Sequence, residues 1–523
     1  MWGRGERTRG GPWPLLIVLG AVACAIAVWA AQPYPGVTVD SGEYLAVADG
    51  LVDGHGYTMP YASYDEAFRV IGPRERVPMT QFPPLYPSAV ALFHGIGLSL
   101  LAAARAVGAA SYAASVIVAS FLVWRHTRRL PLPFVAAGLL LAPELLTLHA
   151  MAWSEPLMVL ATLGALYFTT RYVETGATRD LIGAGVSASL ASLARFAGIS
   201  VIVAVAVAVL LIHEWPLRRR LLRAGVFAAI SMVPVALWFV RNAAVSGVAS
   251  EKEPVWHPPT WTHLRQAFET LGGWVQPWTA IALPVGIMVA LVATVAALRL
   301  LRPLLRTGAS SLPSACLLFA LVYLFFLLLS RTVLDQNIPF DARLLSPVQV
   351  LVVVGVCSAA AGLEGVGKMS WARYVLVALA LLATIRGVVT AAGFSGSSVA
   401  AYSGDEWRSS ETLAHVGSLD RSTLIITNAP DPIWLWHGRA PLIIPPRSSL
   451  YSGQRNENYS AQVHEVLRRT RCEVAVVVFF KQPTRKPPRT IDPLVVDGLR
   501  LTEILPFEDG NVFEVDEPTA GCS

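Results

Sequence analysis

Charged residues are scarce in this chain: Asp, Glu, Lys and Arg together make up 15% of its 523 residues. Soluble domains of ordinary composition carry about 25%, so water is not the main solvent here. Cysteine is sparse and scattered. Cys24, Cys316 and Cys357 lie inside apolar runs, and only Cys472 and Cys522 stand in polar sequence. No CxxC pair or mixed Cys/His spacing results, which argues against a structural metal. A Gly-rich phosphate loop is missing, so nothing points to a bound nucleotide. No internal repeat marks the duplicated halves of many transporters. The net charge of +6 is not gathered into a basic stripe or tail. The arginines form short clusters between apolar runs, a pattern that encodes membrane topology and excludes nucleic acid as the expected partner.

Apolar sequence is abundant, at 54% of the chain. A hydrocarbon core of roughly 30 Å takes about 20 mostly apolar residues per crossing, and about eleven runs qualify. They are Pro14 to Ala31, Ala104 to Trp124, Pro131 to Ala150, Pro156 to Thr170, Leu181 to Leu193, Gly198 to Ile212, Ala224 to Val240, Ala280 to Leu298, Pro313 to Ser330, Leu344 to Ala361 and Trp371 to Ala392. The first follows Arg4, Arg7 and Arg9; with no clean cleavage site before Pro33 it reads as a retained helix and not a signal peptide. With the N-terminus cytoplasmic, the clusters Arg125/Arg128/Arg129, Arg171/Arg179, Arg218/Arg219/Arg220/Arg223, Arg299/Arg302/Arg306 and Lys368/Arg373 all fall inside. Three long segments then lie outside: 32–103, 241–279 and the tail.

The tail changes character. Strand-like runs occur at Leu424 to Thr427, Leu442 to Ile444 and Val474 to Phe480, with helix-like stretches at Glu406 to Val416 and Ala461 to Arg469. This predicts a soluble α/β domain over 396–523 with a mostly parallel sheet, following a membrane domain over 1–395.

The first outer segment opens Val39-Asp40-Ser41-Gly42-Glu43-Tyr44 directly after the first run, continues through Asp49-Gly50 and Gly54-His55-Gly56-Tyr57, and closes with Pro83-Pro84-Leu85-Tyr86-Pro87. Asp40 reads either as a helix N-cap with no further purpose or as a functional carboxylate at the membrane surface. Further polar elements follow in order: Trp153-Ser154-Glu155-Pro156, Leu193-Ala194-Arg195-Phe196-Ala197-Gly198, Phe239-Val240-Arg241-Asn242, and Asp341-Ala342-Arg343-Leu344-Leu345-Ser346-Pro347.

In these elements the chain resembles the GT-C glycosyltransferases related to protein O-mannosyltransferases and lipid A aminoarabinose transferases. Those proteins share the Asp after the first span, the Asp-x-x-x-Tyr start, the small-residue helix ending in Gly and the Pro-Pro-x-Tyr-Pro element. Where O-mannosyltransferases carry an acidic pair this chain has Asp40-Ser41, so protein is not singled out as acceptor. The resemblance implies a polytopic α-helical membrane protein of the GT-C type that takes a sugar from a polyprenyl-phosphate donor and passes it to a lipid, glycan or protein acceptor, with inversion as the outcome of single displacement. It would sit in the plasma membrane among lipids, with the tail extracytoplasmic.

Such a donor carries a ready leaving group. The protein must supply a base for the acceptor hydroxyl and cations for the departing phosphate. Asp40 is expected to be the base, with Glu43 or Glu155 as substitutes. Arg343 is expected to hold the donor phosphate, with Arg331 and Arg241 behind it, since each lies at the outer end of a span and an arginine fork can grip two phosphate oxygens. Interfacial snorkelling is the alternative for each. Arg195, also assigned to the donor phosphate, interrupts a small and apolar stretch; a charge within a span costs roughly 2.5–3.5 kcal/mol on insertion scales, so it should face a cavity or a partner. Glu144 is one candidate partner for Arg195, and Glu155 a candidate partner for Arg241. Tyr44, Tyr86 and Asp341 are assigned to substrate binding. His55, His94 and His149 lack ligand spacing, so no residue is assigned to a metal, although the chemistry leaves room for a divalent cation. Trp256, Trp261, Trp274 and Trp278 read as an interfacial belt. A transporter or flippase of lipid-linked sugars is the competing class; it should show paired broken helices and related halves.

Overall fold

A computed structural model describes residues 12–62, 76–247, 249–250, 252, 254–361, 371–395, 401–448, 452–470, 475–480 and 501–515. Arg4, Arg7, Arg9, Lys368, Cys472, Cys522 and Val474 lie outside the described residues.

Backbone polar groups have no water to bond with in hydrocarbon, so apolar runs must satisfy them internally as helices. The chain does this throughout. α1 (Trp13–Ala30) is followed by two short helices outside the bundle, α2 (Val39–Val52) and α3 (Leu85–Gly95), with a two-residue ribbon of β1 (Thr58–Met59) and β2 (Val77–Pro78) between them. The bundle resumes with α4 (Leu100–Thr127), α5 (Pro131–Leu140), α6 (Pro143–Ala150), α7 (Glu155–Thr175), α8 (Thr178–Ala194), α9 (Ile199–Leu210) and α10 (Leu217–Ser246). An amphipathic helix, α11 (Trp261–Gly273), precedes the last four long helices: α12 (Ala282–Thr307), α13 (Leu312–Val333), α14 (Ala342–Ala360) and α15 (Trp371–Phe394).

Each apolar run of the sequence coincides with a helix or a broken helix pair. Among the described residues seven helices are long and apolar enough to cross a membrane, or eight if the pair α5 and α6, bent by 62°, counts as one span. The runs beginning at Pro156, Leu181 and Gly198 fall on α7, α8 and α9, which do not meet those limits. α9 has only 12 residues, α8 only 17, and α7 carries Glu155, four threonines and Arg171.

The C-terminal α/β unit continues with α16 (Asp405–Arg408), α17 (Glu411–Ser418), β3 (Leu424–Thr427), α18 (Pro430–His437), β4 (Leu442–Ile443), α19 (Tyr459–Thr470), β5 (Ala475–Phe480), β6 (Leu501–Pro506) and β7 (Gly510–Val515). Its sheet runs β4-β3-β5-β7-β6. β3 pairs in parallel with β4 and β5, as crossover helices require, whereas β7 is antiparallel to both β5 and β6. The sheet is therefore mixed and not mostly parallel. The reason is local: β6 and β7 are separated by Phe507 to Asp509 only, a connection too short for a parallel crossover. The helix expected over Glu406 to Val416 is split, because Ser410 caps α17 by accepting from Leu413 N at 2.9 Å.

One apolar cluster joins this unit to α2. Val37, Tyr44, Leu45 and Val47 pack with Tyr402, Trp407, Ile433, Trp434 and Phe480. Backbone bridges pin the same place: Tyr402 N donates to Val37 O at 2.9 Å, and Ala152 N to Gly36 O at 2.8 Å. α2 is thus held between the helical bundle and the sheet.

Candidate active site

Thr38, in an extended conformation, precedes α2, and Asp40 stands at the second helical position. The N-cap position, one of the two readings of Asp40, is therefore held by Thr38, whose hydroxyl sits 3.1 Å from that of Ser41. This difference matters chemically. A capping carboxylate would be spent on backbone N–H groups, whereas Asp40 is turned to Arg343, whose Nη2 donates to Asp40 Oδ2 at 2.6 Å.

Arg343 is at the second position of α14, a helix capped by Asp341 accepting from Leu344 N at 3.0 Å. Its Nε donates to Glu155 Oε1, and its guanidinium lies 4.4 Å from the centre of the Trp153 ring. Trp153 Nε1 in turn donates to Thr38 Oγ1 at 2.9 Å, which ties the ring to the start of α2. Glu155 opens α7. It is almost wholly buried and also meets Arg195 Nη1 at 2.8 Å. Arg195 ends α8 in an extended conformation, so the break between α8 and α9 is what directs this cation to Glu155. The result is a chain of charges, Asp40–Arg343–Glu155–Arg195, drawn from four segments.

Two carboxylates and two guanidiniums balance, which removes most of the penalty for placing them at the end of a bundle. The second oxygen of Glu155 has no hydrogen-bond partner among the described residues. Burial pushes the Asp40 carboxyl up, but the Arg343 and Arg195 charges, the Arg343 hydrogen bond and Lys252 outweigh it and hold Asp40 below the ordinary carboxylate range. Its side chain is nevertheless 30% exposed and that of Arg343 18%. The pair is open to a ligand, while Glu155 at 2% is not.

The other expected residues divide. Tyr44 lines the same site, its hydroxyl 3.3 Å from Ser154 Oγ and its ring edge-on to Phe82 and Tyr86. Tyr86 is buried with its hydroxyl unpartnered among the described residues. Glu43 is buried one turn along α2 from Asp40. Asp341 has its cap to explain it. Arg241 does not join the charge chain: it donates to Met79 O at 2.6 Å and Tyr57 O at 3.1 Å, stacked near Trp238, and so clasps the segment between α2 and α3. Arg331 donates to His257 O at 3.2 Å and pairs with His263 Nε2 at 2.9 Å.

Both expected pairings change as well. Glu155 holds Arg343 and Arg195 instead of Arg241, and Glu144 faces Arg386 at 3.5 Å instead of Arg195. Arg386 lies on α15 and Glu144 opens α6, helices that pack together, whereas Arg195 ends α8, which packs on α7. Among the described residues no group of three His, Cys, Asp or Glu side chains is placed to hold a metal ion. Trp153, Lys252 and Asp431 are the near neighbours that sequence reasoning missed. Trp153 had a signal in its motif. Lys252, bonded to Asp335 at 2.9 Å and acting on Asp40 through its charge, and Asp431 had none.

Residues 82–238 match the family described as dolichyl-phosphate-mannose-protein mannosyltransferase. That stretch includes Tyr86, Trp153, Glu155 and Arg195, but neither Asp40 nor Arg343. No curated protein sequence matches the chain. The crystal structure of ArnT from Cupriavidus metallidurans bound to undecaprenyl phosphate matches at 12% identity, over 96% of this chain and 98% of that one, with a TM-score of 0.59. The apo state of the same protein matches at 13% identity, over 96% and 97%, with a TM-score of 0.58. A likeness that runs the length of both chains establishes the fold that this chain shares with ArnT: a bundle of long apolar helices with a C-terminal α/β unit.

Proposed function

We propose that the chain is a membrane glycosyltransferase that moves a sugar from a polyprenyl-phosphate donor to a hydroxyl on a lipid, glycan or protein acceptor. The observation that carries this reading is the partly exposed Asp40–Arg343 pair, a base and a phosphate-binding cation already in contact at the mouth of the bundle. The family match, whose description names a lipid-phosphate sugar, and the undecaprenyl phosphate bound by ArnT support the donor class.

The contact suggests how the step is controlled. While Arg343 grips Asp40, the carboxylate is a weak base, because a lowered pKa favours the ionised form. A donor phosphate competes for the same guanidinium. As Arg343 turns to the phosphate, Glu155 and Trp153 keep it in place and Asp40 is released to take the acceptor proton. The acceptor oxygen then bonds to the anomeric carbon as the carbon–oxygen bond to phosphate breaks. The proton ends on Asp40, the electron pair on the polyprenyl phosphate, and the configuration inverts. Arg195 holds Glu155 and so supports Arg343 from behind. Arg241 and Arg331, expected to contribute to phosphate binding, would do so only by moving from their present partners. Tyr44, Tyr86 and Glu43 line the wall on the α2 side.

Residues 1–395 would form the catalytic membrane part in the plasma membrane, with the N-terminus cytoplasmic, and 396–523 an extracytoplasmic domain that shapes the acceptor. A flippase would have no need of a base beside the phosphate ligand. Purified protein in nanodiscs, incubated with radiolabelled polyprenyl-phosphate sugars and crude envelope acceptors, tests the reading. Label moving to an acceptor in wild type but not in Asp40→Asn supports it; transport of the donor without transfer overturns it.

A further inference from the structure

The seam between α2 and the C-terminal unit is largely apolar, and a carboxyl group is buried in it. Asp431, on the first turn of α18, is 2% exposed and accepts a hydrogen bond from Tyr61 Oη at 2.9 Å. The carboxyl lies against the backbone of Gly42, where an added Cβ would overlap Asp431 Oδ1. Glycine inside a helix costs about 1 kcal/mol relative to alanine; here the close approach of Asp431 explains it. Gly42 is two residues after Asp40, so a side chain from the C-terminal unit rests on the turn that carries the proposed base.

Burial pushes the Asp431 carboxyl up to about 7, helped by the negative charge of Asp40 and opposed by the Tyr61 hydrogen bond and a backbone one. Glu43 on α2 and Tyr402 in the C-terminal unit also face Tyr61. Among the described residues, the ionisable groups acting on Asp431 and Tyr61 are Asp40, Glu43 and Tyr402, all of them acids.

We propose that Asp431 is a positioning residue for Asp40, through which the C-terminal unit sets both the direction and the basicity of that carboxylate. This rests on the role given to Asp40 above. The guanidiniums hold Asp40 low; a negative charge on Asp431 counters them, and a neutral Asp431 does not. Transfer should then rise as Asp431 loses its proton.

The test uses the full chain in nanodiscs, with kcat/KM and thermal melting followed from mildly acid to mildly alkaline pH for wild type, Asp431→Asn, Tyr61→Phe and Gly42→Ala. Wild-type transfer is expected to climb severalfold through an inflection near 7, where Asp431 titrates. Asp431→Asn lacks the inflection. Tyr61→Phe shifts it to higher pH, since the lost hydrogen bond favoured the ionised form. Gly42→Ala drives Asp431 off α2 and lowers kcat by roughly 10²-fold with donor KM held, as expected for a displaced reacting group.

Melting gives a second readout. The folded carboxyl keeps its proton up to about 7 and the unfolded one only to about 3.8. Wild-type stability therefore falls as pH climbs through that window, and the melting temperature of Asp431→Asn rises relative to it. An inflection that survives in Asp431→Asn, a melting gap that does not change with pH, or normal kcat in Gly42→Ala overturns the proposal. Absence of transfer by wild type with every donor overturns the glycosyltransferase reading itself, a different result from transfer with the wrong pH profile.

Discussion

Arg343 contacts carboxylates on two different helices because a guanidinium presents a planar fork of donors and an ammonium does not. Arg343→Lys should therefore recover only part of the donor affinity that Arg343→Ala loses, measured by binding of labelled polyprenyl-phosphate sugar; equal affinity of Lys and wild type would show that a point charge suffices. Asp40→Asn keeps size and helix position while removing the basicity. Transfer should fall by the 10²- to 10⁴-fold associated with a lost general base while donor binding survives. Near-normal transfer by a folded Asp40→Asn would move the base to Glu43 or Glu155.

Asp40 on α2 and Asp431 packed against that helix also carry opposite pH signs. The folded pKa of Asp40 is below its ordinary value of 3.8, so its pairing with Arg343 contributes stability at neutral pH that is lost as pH falls below about that value. Asp431 costs stability over the window above it.

At the scale of elements, the charge chain depends on how helices begin and end. Glu155 and Arg343 are on first turns and Arg195 sits past a last turn, so a half-turn error in any of the three would separate them. α14 is the clearest case. Asp341 fixes where it starts, and an N-cap carboxylate is worth about 1 kcal/mol. Asp341→Asn, which can still accept from Leu344 N, should melt close to wild type, and Asp341→Ala should melt lower by a few degrees with donor KM little changed. A large KM effect in both variants would return Asp341 to substrate binding, the role its motif suggested.

For the whole molecule, the arginine clusters predict one orientation, with the N-terminus inside and the C-terminal unit outside. Single cysteines near Gly56, Trp261 and Asn456 should react with an impermeant reagent in whole cells, and cysteines near Thr127 and Leu217 should not. Labelling near Leu217 from outside would invert the topology. Because α2 shares its apolar core with Tyr402, Trp434 and Phe480, the orientation of the tail and that of the site cannot differ.

The sequence by itself determined the helical runs, since apolar segments in hydrocarbon have no other way to satisfy their backbone, and it placed three strands of the sheet from short β-branched runs. It also marked Asp40, Glu155, Arg195 and Arg343 as worth explaining, each a charge at or near a span end. It did not determine which charge meets which. Arg343 is 303 residues from Asp40 and 188 from Glu155, and Arg241 and Arg331 carry the same local signature of a cation at a helix end. Only the packing of α7, α8 and α14 against α2 separates the arginine that reaches the carboxylates from those that bind loop carbonyls or a histidine. Asp431 shows the same limit more sharply. In sequence it is an acid beside two prolines in a soluble tail; its burial against Gly42 exists only because the sheet docks on α2, a contact between segments that no local pattern records.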